Sequence, residues 1–158
     1  MAEDAGNLGI FCDLAGTLVR MDDSRQLPLD SSGKIRVELL PKVKEKLLPI
    51  RGRLIFVVTN QAGVARGRFT LAQVEAAMAE LDGQLDGILT AWRICPHDDA
   101  DGCECRKPKA GMIVELARDH GVDLGGSTMI GDQEVDRLAA HTAGIREFIH
   151  ARDFFGWK

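Results

Sequence analysis

The chain has 158 residues, of which 45% are apolar, with a formal charge of −4 and a pI near 5.6. This length and apolar content fit a single domain, 1–158, and the acidic balance argues against nucleic acid or an anionic membrane as partner, because both require a basic surface. The sequence has no basic, apolar leader and no apolar run of membrane-spanning length. We therefore expect a cytoplasmic protein, a monomer or weak homo-oligomer, that acts on a small metabolite.

Short apolar runs alternate with helical patterns along the whole chain. Five runs indicate buried strands: 8–12, 54–58, 88–94, 128–130 and 148–149. Between them the sequence predicts a short helix over 41–48, a helix that begins after Thr70 in a capping box, a helix that Gly121 ends, and one over 135–142. Such alternation predicts an α/β fold: a doubly wound, Rossmann-like parallel sheet.

Polar residues follow three of the predicted strands. Asp13 follows the first, Thr59 and Asn60 follow the second, and Asp132 follows the fourth. Ligands of open parallel sheets bind beyond the carboxyl ends of the strands, so these side chains should meet at one edge. The polar, turn-rich segment 20–37 is expected to form a flap over that edge.

Three cysteines and a histidine lie within eleven positions of one another. A C-x-H pair is followed after five residues by a C-x-C pair, which supplies Cys95, His97, Cys103 and Cys105. Four such ligands complete a tetrahedral zinc site, so Zn²⁺ is expected to be structural in a loop over 95–109. This loop would present Arg106 and Lys107 to the edge where the polar residues meet.

The residues expected at this edge suit phosphoryl transfer. Carboxylates bind Mg²⁺, whereas cations with hydroxyl and amide donors bind phosphate. The carboxylates are Asp13, Asp132 and Asp136; the phosphate-binding groups are Thr59, Asn60, Arg106 and Lys107.

Four segments carry a resemblance to a known family: DLAGT, VVTNQAGVARG, the cysteine loop that runs into CRKPKAGM, and MIGDQEVD. They resemble the four motifs of the haloacid dehalogenase superfamily, and the zinc loop with TNQAGVARG is similar to its branch of heptose bisphosphate phosphatases and histidinol phosphatases. The similarity covers roughly residues 10–144 and implies a capless, Rossmann-like phosphatase of a small phosphorylated metabolite, with a sugar bisphosphate such as heptose 1,7-bisphosphate favoured.

The resemblance also implies roles for single residues. Asp13 would attack phosphorus to give an aspartyl phosphate, and Mg²⁺ would be held by Asp13, the backbone carbonyl of Ala15 and Asp132. Asp136 would orient Lys107 or the metal shell. The phosphoryl oxygens would be held by Thr59 and Asn60, with Lys107 balancing their charge. Arg106 would reach the substrate or its phosphate, and Arg66 either contacts a second phosphate or sugar hydroxyls or remains solvated.

Ala15 stands where most hydrolases of this superfamily have an aspartate that protonates the leaving alcohol and then activates water. Three explanations stay open. The substrate could supply a good leaving group, or another residue such as Asp22, Asp23 or a histidine could supply the proton. The chain could also be a phospho-ligand binding protein that gave up turnover, or it could carry an engineered inactivating substitution.

Overall fold

The computed structural model describes residues 7–158, which contain one five-stranded sheet. The strands are β1 (Gly9–Cys12), β2 (Leu54–Asn60), β3 (Ala91–Cys95), β4 (Thr128–Gly131) and β5 (Glu147–His150). They lie in the order β3-β2-β1-β4-β5, and every neighbouring pair is parallel. The predicted parallel α/β fold is thus confirmed.

Five α-helices accompany the sheet: α1 (Val43–Leu47), α2 (Leu71–Gln84), α3 (Gly111–His120), α4 (Glu134–Ala143) and α5 (Ala151–Phe155). Short 3-10 helices span Leu48–Ile50, Asp99–Asp101 and Leu124–Gly126. Over residues 7–158, no helix combines the length and apolar character needed to cross a membrane.

Local sequence explains where the long helices begin and end. Thr70 Oγ1 accepts a hydrogen bond from Gln73 N at 3.1 Å, and Gln73 Oε1 accepts one from Thr70 N at 2.8 Å, so the predicted capping box is confirmed. Gly121 ends α3 with a φ of 66°, a left-handed conformation that glycine adopts without a Cβ penalty.

Helices cover both faces of the sheet. Because successive residues of a strand point to opposite faces, neighbouring residues of β1 contact different helices. Ile10 and Cys12 of β1 pack with α1, α2 and α5, whereas Phe11 packs with α3 and α4. Phe11 stacks on Phe56 of β2, with ring centroids 4.9 Å apart. The sheet is therefore doubly wound, and its strand ends are fixed by two hydrophobic cores.

Two expectations about element bounds were wrong, and one helix was not predicted. The third strand begins at Ala91 instead of position 88, since Leu89 is buried in a loop without strand pairing. Pro49 lies inside a 3-10 helix that continues α1 instead of following its end. The sequence pattern also missed α5, whose Phe155 is buried; beyond it, Trp157 Nε1 donates to Pro41 O at 2.7 Å.

Candidate active site

The candidate active site lies where β1 ends between β2 and β4. Asp13 follows β1 directly, and its backbone N–H donates to Ile130 O of β4 at 3.0 Å. Asn60 ends β2, and Asp132 follows β4. The strand order thus brings together the polar residues that the sequence put after separate strands.

Lys107 is the cation at the centre of this site. Its Nζ donates to Asp13 Oδ1 at 2.8 Å, to Asp136 Oδ1 at 2.7 Å and to Val58 O at 2.9 Å. Burial alone would lower the pKa of Lys107, but the charges of Asp13 and Asp136 outweigh it and leave that pKa above its ordinary value. Lys107 therefore stays protonated and holds both carboxylates.

Asn60 and Thr59 are themselves held by hydrogen bonds. Asn60 Nδ2 donates to Lys107 O at 3.1 Å, and Asn60 Oδ1 accepts from Lys107 N at 2.9 Å. Gln61 Nε2 donates to Thr59 Oγ1 at 2.8 Å, which orients the hydroxyl. Asn60 thus fixes the backbone of Lys107, and its predicted contact with a phosphoryl oxygen would use the second N–H of Nδ2.

Asp136 reaches beneath the end of β4 because Gly131 has no side chain. A Cβ on Gly131 would lie 2.5 Å from the Cβ of Asp136. Asp136 Oδ2 accepts from the backbone N–H groups of Asp132 and Gln133, at 3.2 and 3.1 Å. Burial and the neighbouring charge of Asp13 raise the pKa of Asp136 to about 7. Its contacts agree with a role in orienting Lys107.

The carboxylates of Asp13, Asp132 and Asp136 form a cluster in which one oxygen of each lies within 4.8 Å of the others. Burial and the charge of Asp13 raise the pKa of Asp132, so a cation would relieve an electrostatic cost here. Lys107 and backbone N–H groups occupy both oxygens of Asp136. The donor set therefore fits Mg²⁺, with Asp13 and Asp132 as the carboxylates that would bind it.

The cysteine loop brings its four predicted zinc ligands together. Cys95 Sγ lies 2.7 Å from Cys105 Sγ and 3.6 Å from Cys103 Sγ, and none of the cysteines forms a disulfide. His97 Nδ1 lies 3.5 and 3.3 Å from the sulfurs of Cys95 and Cys105. Desolvation and neighbouring sulfurs raise the pKa of Cys105, a cost that a bound cation would reverse. Three thiols and one imidazole suit Zn²⁺.

A cavity of about 360 Å³ opens beside Asp13 and Lys107. Arg106 lines it, with Nε donating to Asp99 Oδ1 at 2.7 Å and Nη1 donating to His97 O at 3.3 Å. Arg66 lines the same cavity, together with Thr59 and Asn60. A ligand in this cavity would meet three arginines, Arg25, Arg66 and Arg106, as well as Thr59 and Asn60.

Ala15 lines the cavity, and the described residues offer few carboxyl groups to replace the missing aspartate. The carboxylates that line it are Asp13 and Asp99. Asp22 is engaged elsewhere, because its Oδ1 accepts from two backbone N–H groups of its own turn and its Oδ2 pairs with Arg68 at 2.9 Å. Asp23 and the histidines do not line the cavity.

The sequence analysis missed Arg25, which lies in the predicted flap. Its Nη2 donates to Asp132 Oδ2 at 2.7 Å, and Gln133 beside it also lines the cavity. No local pattern could have revealed this contact, since Arg25 and Asp132 are 107 residues apart.

Comparison with known proteins identifies the relatives of this fold and site. A family model described as HAD-hyrolase-like matches residues 104–152. The D-glycero-beta-D-manno-heptose-1,7-bisphosphate 7-phosphatase of Haemophilus ducreyi is 34% identical over 163 residues, which cover 93% of this chain and 84% of that protein. The Pseudomonas aeruginosa protein of the same name is 44% identical over 92 residues, covering 56% of this chain and about half (52%) of its own length.

A solved structure agrees with these relatives. The crystal structure of D,D-heptose 1,7-bisphosphate phosphatase from B. bronchiseptica, complexed with magnesium and phosphate, superposes with a TM-score of 0.76 at 31% identity. The alignment covers 87% of this chain and 77% of that one.

The fold is that of a haloacid dehalogenase-type hydrolase, and among such hydrolases the chain is a phosphoric monoester hydrolase. Within that class, the chain belongs to the heptose bisphosphate phosphatase family of the haloacid dehalogenase superfamily. The resemblance drawn from its four motifs is confirmed.

Proposed function

We propose that this chain is a Mg²⁺-dependent phosphatase of a sugar bisphosphate, with heptose 1,7-bisphosphate favoured, that acts through an aspartyl phosphate on Asp13. The observation that carries this proposal is the buried Lys107, whose Nζ holds both Asp13 and Asp136 beside a cavity with three arginines. The substrate in the relatives' names and the magnesium and phosphate in the solved relative support it.

In the first step, an oxygen of Asp13 attacks phosphorus, the bond from phosphorus to the sugar oxygen breaks, and the sugar oxygen leaves with the electron pair and takes its proton from water. Lys107 holds Oδ1 of Asp13, so we infer that the second oxygen is the nucleophile. Thr59 and Asn60 would bind the phosphoryl oxygens, and Lys107 would offset their charge. When bound by Asp13, Asp132 and the carbonyl of Ala15, Mg²⁺ would supply further positive charge for the transferring group.

In the second step, water attacks the aspartyl phosphate, phosphate leaves and the carboxylate of Asp13 is restored. The second phosphate of the substrate would meet Arg106 and Arg66, which line the same cavity as Asp13. Zn²⁺ at the cysteine loop would keep Arg106 and Lys107 in place, since both follow Cys105 directly.

Ala15 favours a second candidate, a protein that binds a phosphorylated ligand with little turnover. The cavity-lining carboxyl groups of the described residues are Asp13, the nucleophile, and Asp99. Asp99 is a poor proton donor, because its hydrogen bond with Arg106 and the charge of Arg106 lower its pKa. Turnover by this chain would then depend on how well the leaving group departs without a proton.

The test is phosphate release from heptose 1,7-bisphosphate with Mg²⁺, in the unchanged chain and in Asp13→Asn. The amide of Asp13→Asn keeps the size of the side chain but is not a nucleophile, so we expect turnover to fall to background. Ligand binding by Asp13→Asn, measured by calorimetry, shows whether the pocket survives the change. Turnover that persists in Asp13→Asn would discard the aspartyl-phosphate mechanism. Binding without turnover in the unchanged chain would favour the second candidate.

A further inference from the structure

Arg25 of the flap segment 20–37 reaches the carboxylate cluster from outside the sheet. Its Nη2 lies 2.7 Å from Asp132 Oδ2. The amide oxygen of Gln133, in the orientation that satisfies its hydrogen bonding, accepts from the same guanidinium. The side chain of Asp132 is only 11% exposed, so this ion pair lies at the mouth of the cluster and closes it.

The turn that carries Arg25 is held by its own contacts. Asp22 Oδ1 accepts from Ser24 N at 2.8 Å and from Gln26 N at 2.9 Å, while Asp22 Oδ2 binds Arg68. Arg25 itself has a φ of 64°, an uncommon conformation for a residue with a side chain. The turn thus directs the guanidinium toward Asp132 through contacts that do not depend on a ligand.

Both carboxylate oxygens of Asp132, the atoms that could bind a divalent cation, already accept hydrogen bonds. Asp132 Oδ1 accepts from Thr17 Oγ1 at 3.1 Å, and Oδ2 accepts from Arg25. When all three clustered carboxyl groups are ionised they carry three negative charges, of which Lys107 offsets one and Arg25 a second. Without Arg25, the remaining charge of the cluster equals that of one divalent cation in magnitude.

We propose that Arg25 competes with the divalent cation for Asp132, so that metal binding displaces the guanidinium. Arg25 is then a positioning residue: it sets how tightly the metal binds and links the metal to the flap. The inference rests on the metal site of the proposed function. It adds that the displaced guanidinium is released into the cavity that Arg25 lines, where it is free to meet an anionic ligand.

The first test measures Mn²⁺ affinity by calorimetry on zinc-loaded protein, comparing the unchanged chain with Arg25→Gln. Because half-exposed ion pairs are modest in strength, we expect Mn²⁺ to bind Arg25→Gln about three- to ten-fold more tightly. Arg25→Lys keeps the positive charge, so its affinity for Mn²⁺ should be close to that of the unchanged chain. The matched control is Arg36→Gln on the same flap, since Arg36 is 62% exposed and pairs with Glu38 instead of the cluster.

A difference of less than two-fold between Arg25→Gln and Arg36→Gln would overturn the competition. If Mn²⁺ failed to bind in every variant, the metal site itself would be refuted, and with it the Mg²⁺ dependence in the proposed function. The two failures are therefore distinguishable, since the first leaves metal binding intact.

A second test follows the Arg25 side chain directly, by nuclear magnetic resonance of its Nε–H group. The signal is assigned by its absence from Arg25→Gln. With saturating Mg²⁺ we expect it to move toward the position of a solvent-exposed arginine, because the contact with Asp132 is lost. A signal that stays unchanged while Mg²⁺ binds would show that cation and guanidinium occupy Asp132 together, which contradicts the proposal.

Discussion

Ala15→Asp tests whether this site is a phosphatase that lacks only its proton donor. Ala15 lines the cavity with Asp13, so a carboxyl group at this position would reach the same space as the substrate. General acid–base catalysis typically contributes ~10²–10⁴-fold. At about 1.4 kcal/mol per ten-fold, this is a lowering of the barrier by about 3–5 kcal/mol.

The full effect is expected because no described group compensates for Ala15. Asp99 is ion-paired with Arg106, and Asp22 is engaged by its turn and by Arg68. For an alkyl phosphate we therefore expect the kcat of Ala15→Asp to be ~10²–10⁴-fold higher than that of the unchanged chain. For an aryl phosphate, whose leaving group departs as a stable anion, the gain should be much smaller.

The assay is phosphate release with Mg²⁺ from one alkyl and one aryl phosphate, in the unchanged chain, Ala15→Asp and Ala15→Asn. Ala15→Asn is the matched control, since it has nearly the size of aspartate but no acidic proton. Equal gains in Ala15→Asp and Ala15→Asn would refute the reasoning, because a proton donor would then not be what is missing. Rapid turnover of the alkyl phosphate by the unchanged chain would refute it as well.

Two further changes test the groups that hold the site together. Lys107→Met leaves Asp13 and Asp136 buried without their cation, so we expect the free energy of unfolding to fall by about 3–5 kcal/mol in urea denaturation. The melting temperature would fall by roughly 6–20 °C, whereas Lys109→Met, at an exposed neighbour, should stay within about 0.5 kcal/mol of the unchanged chain. Removal of zinc with a strong chelator should lower the melting temperature and speed amide exchange over 95–109. Unchanged melting and no zinc in the purified protein would contradict a structural zinc site.

Much of the sheet could be predicted because buried parallel strands are continuous apolar runs. The starts of β2 and β4 were predicted to the residue on this basis. The third strand was misplaced because Leu89 is apolar and buried yet unpaired, and hydrophobicity reports burial, not strand pairing. Helix α5 has only five residues, too few for a helical period to be visible, and its segment lacks the prolines that flank the equally short α1.

Asp13, Asn60 and Asp132 come together in space because the ends of β1, β2 and β4 lie at the same edge of the sheet. Arg25 could not be found in this way, since its position depends on a turn and on one left-handed backbone angle. The hydrogen bonds between Asn60 and Lys107 could not be predicted either. The two residues are 47 positions apart, and each of them suits a phosphate site without contact to the other. Local patterns thus predicted the residue types of the site but not the contacts that orient them.

The short distance along the chain between Cys105 and Lys107 has a consequence for how this protein would respond to its surroundings. Lys107 follows the last thiol of the cysteine loop by two residues, and its ammonium group holds Asp13, the nucleophile that we propose. Loss or oxidation of the thiols would therefore shift Lys107 and weaken its contact with the carboxylate of Asp13, while the strands stay folded. With zinc in the loop and Mg²⁺ at Asp13 and Asp132, as we propose, loss of zinc alone is expected to leave the sheet folded and the site inactive.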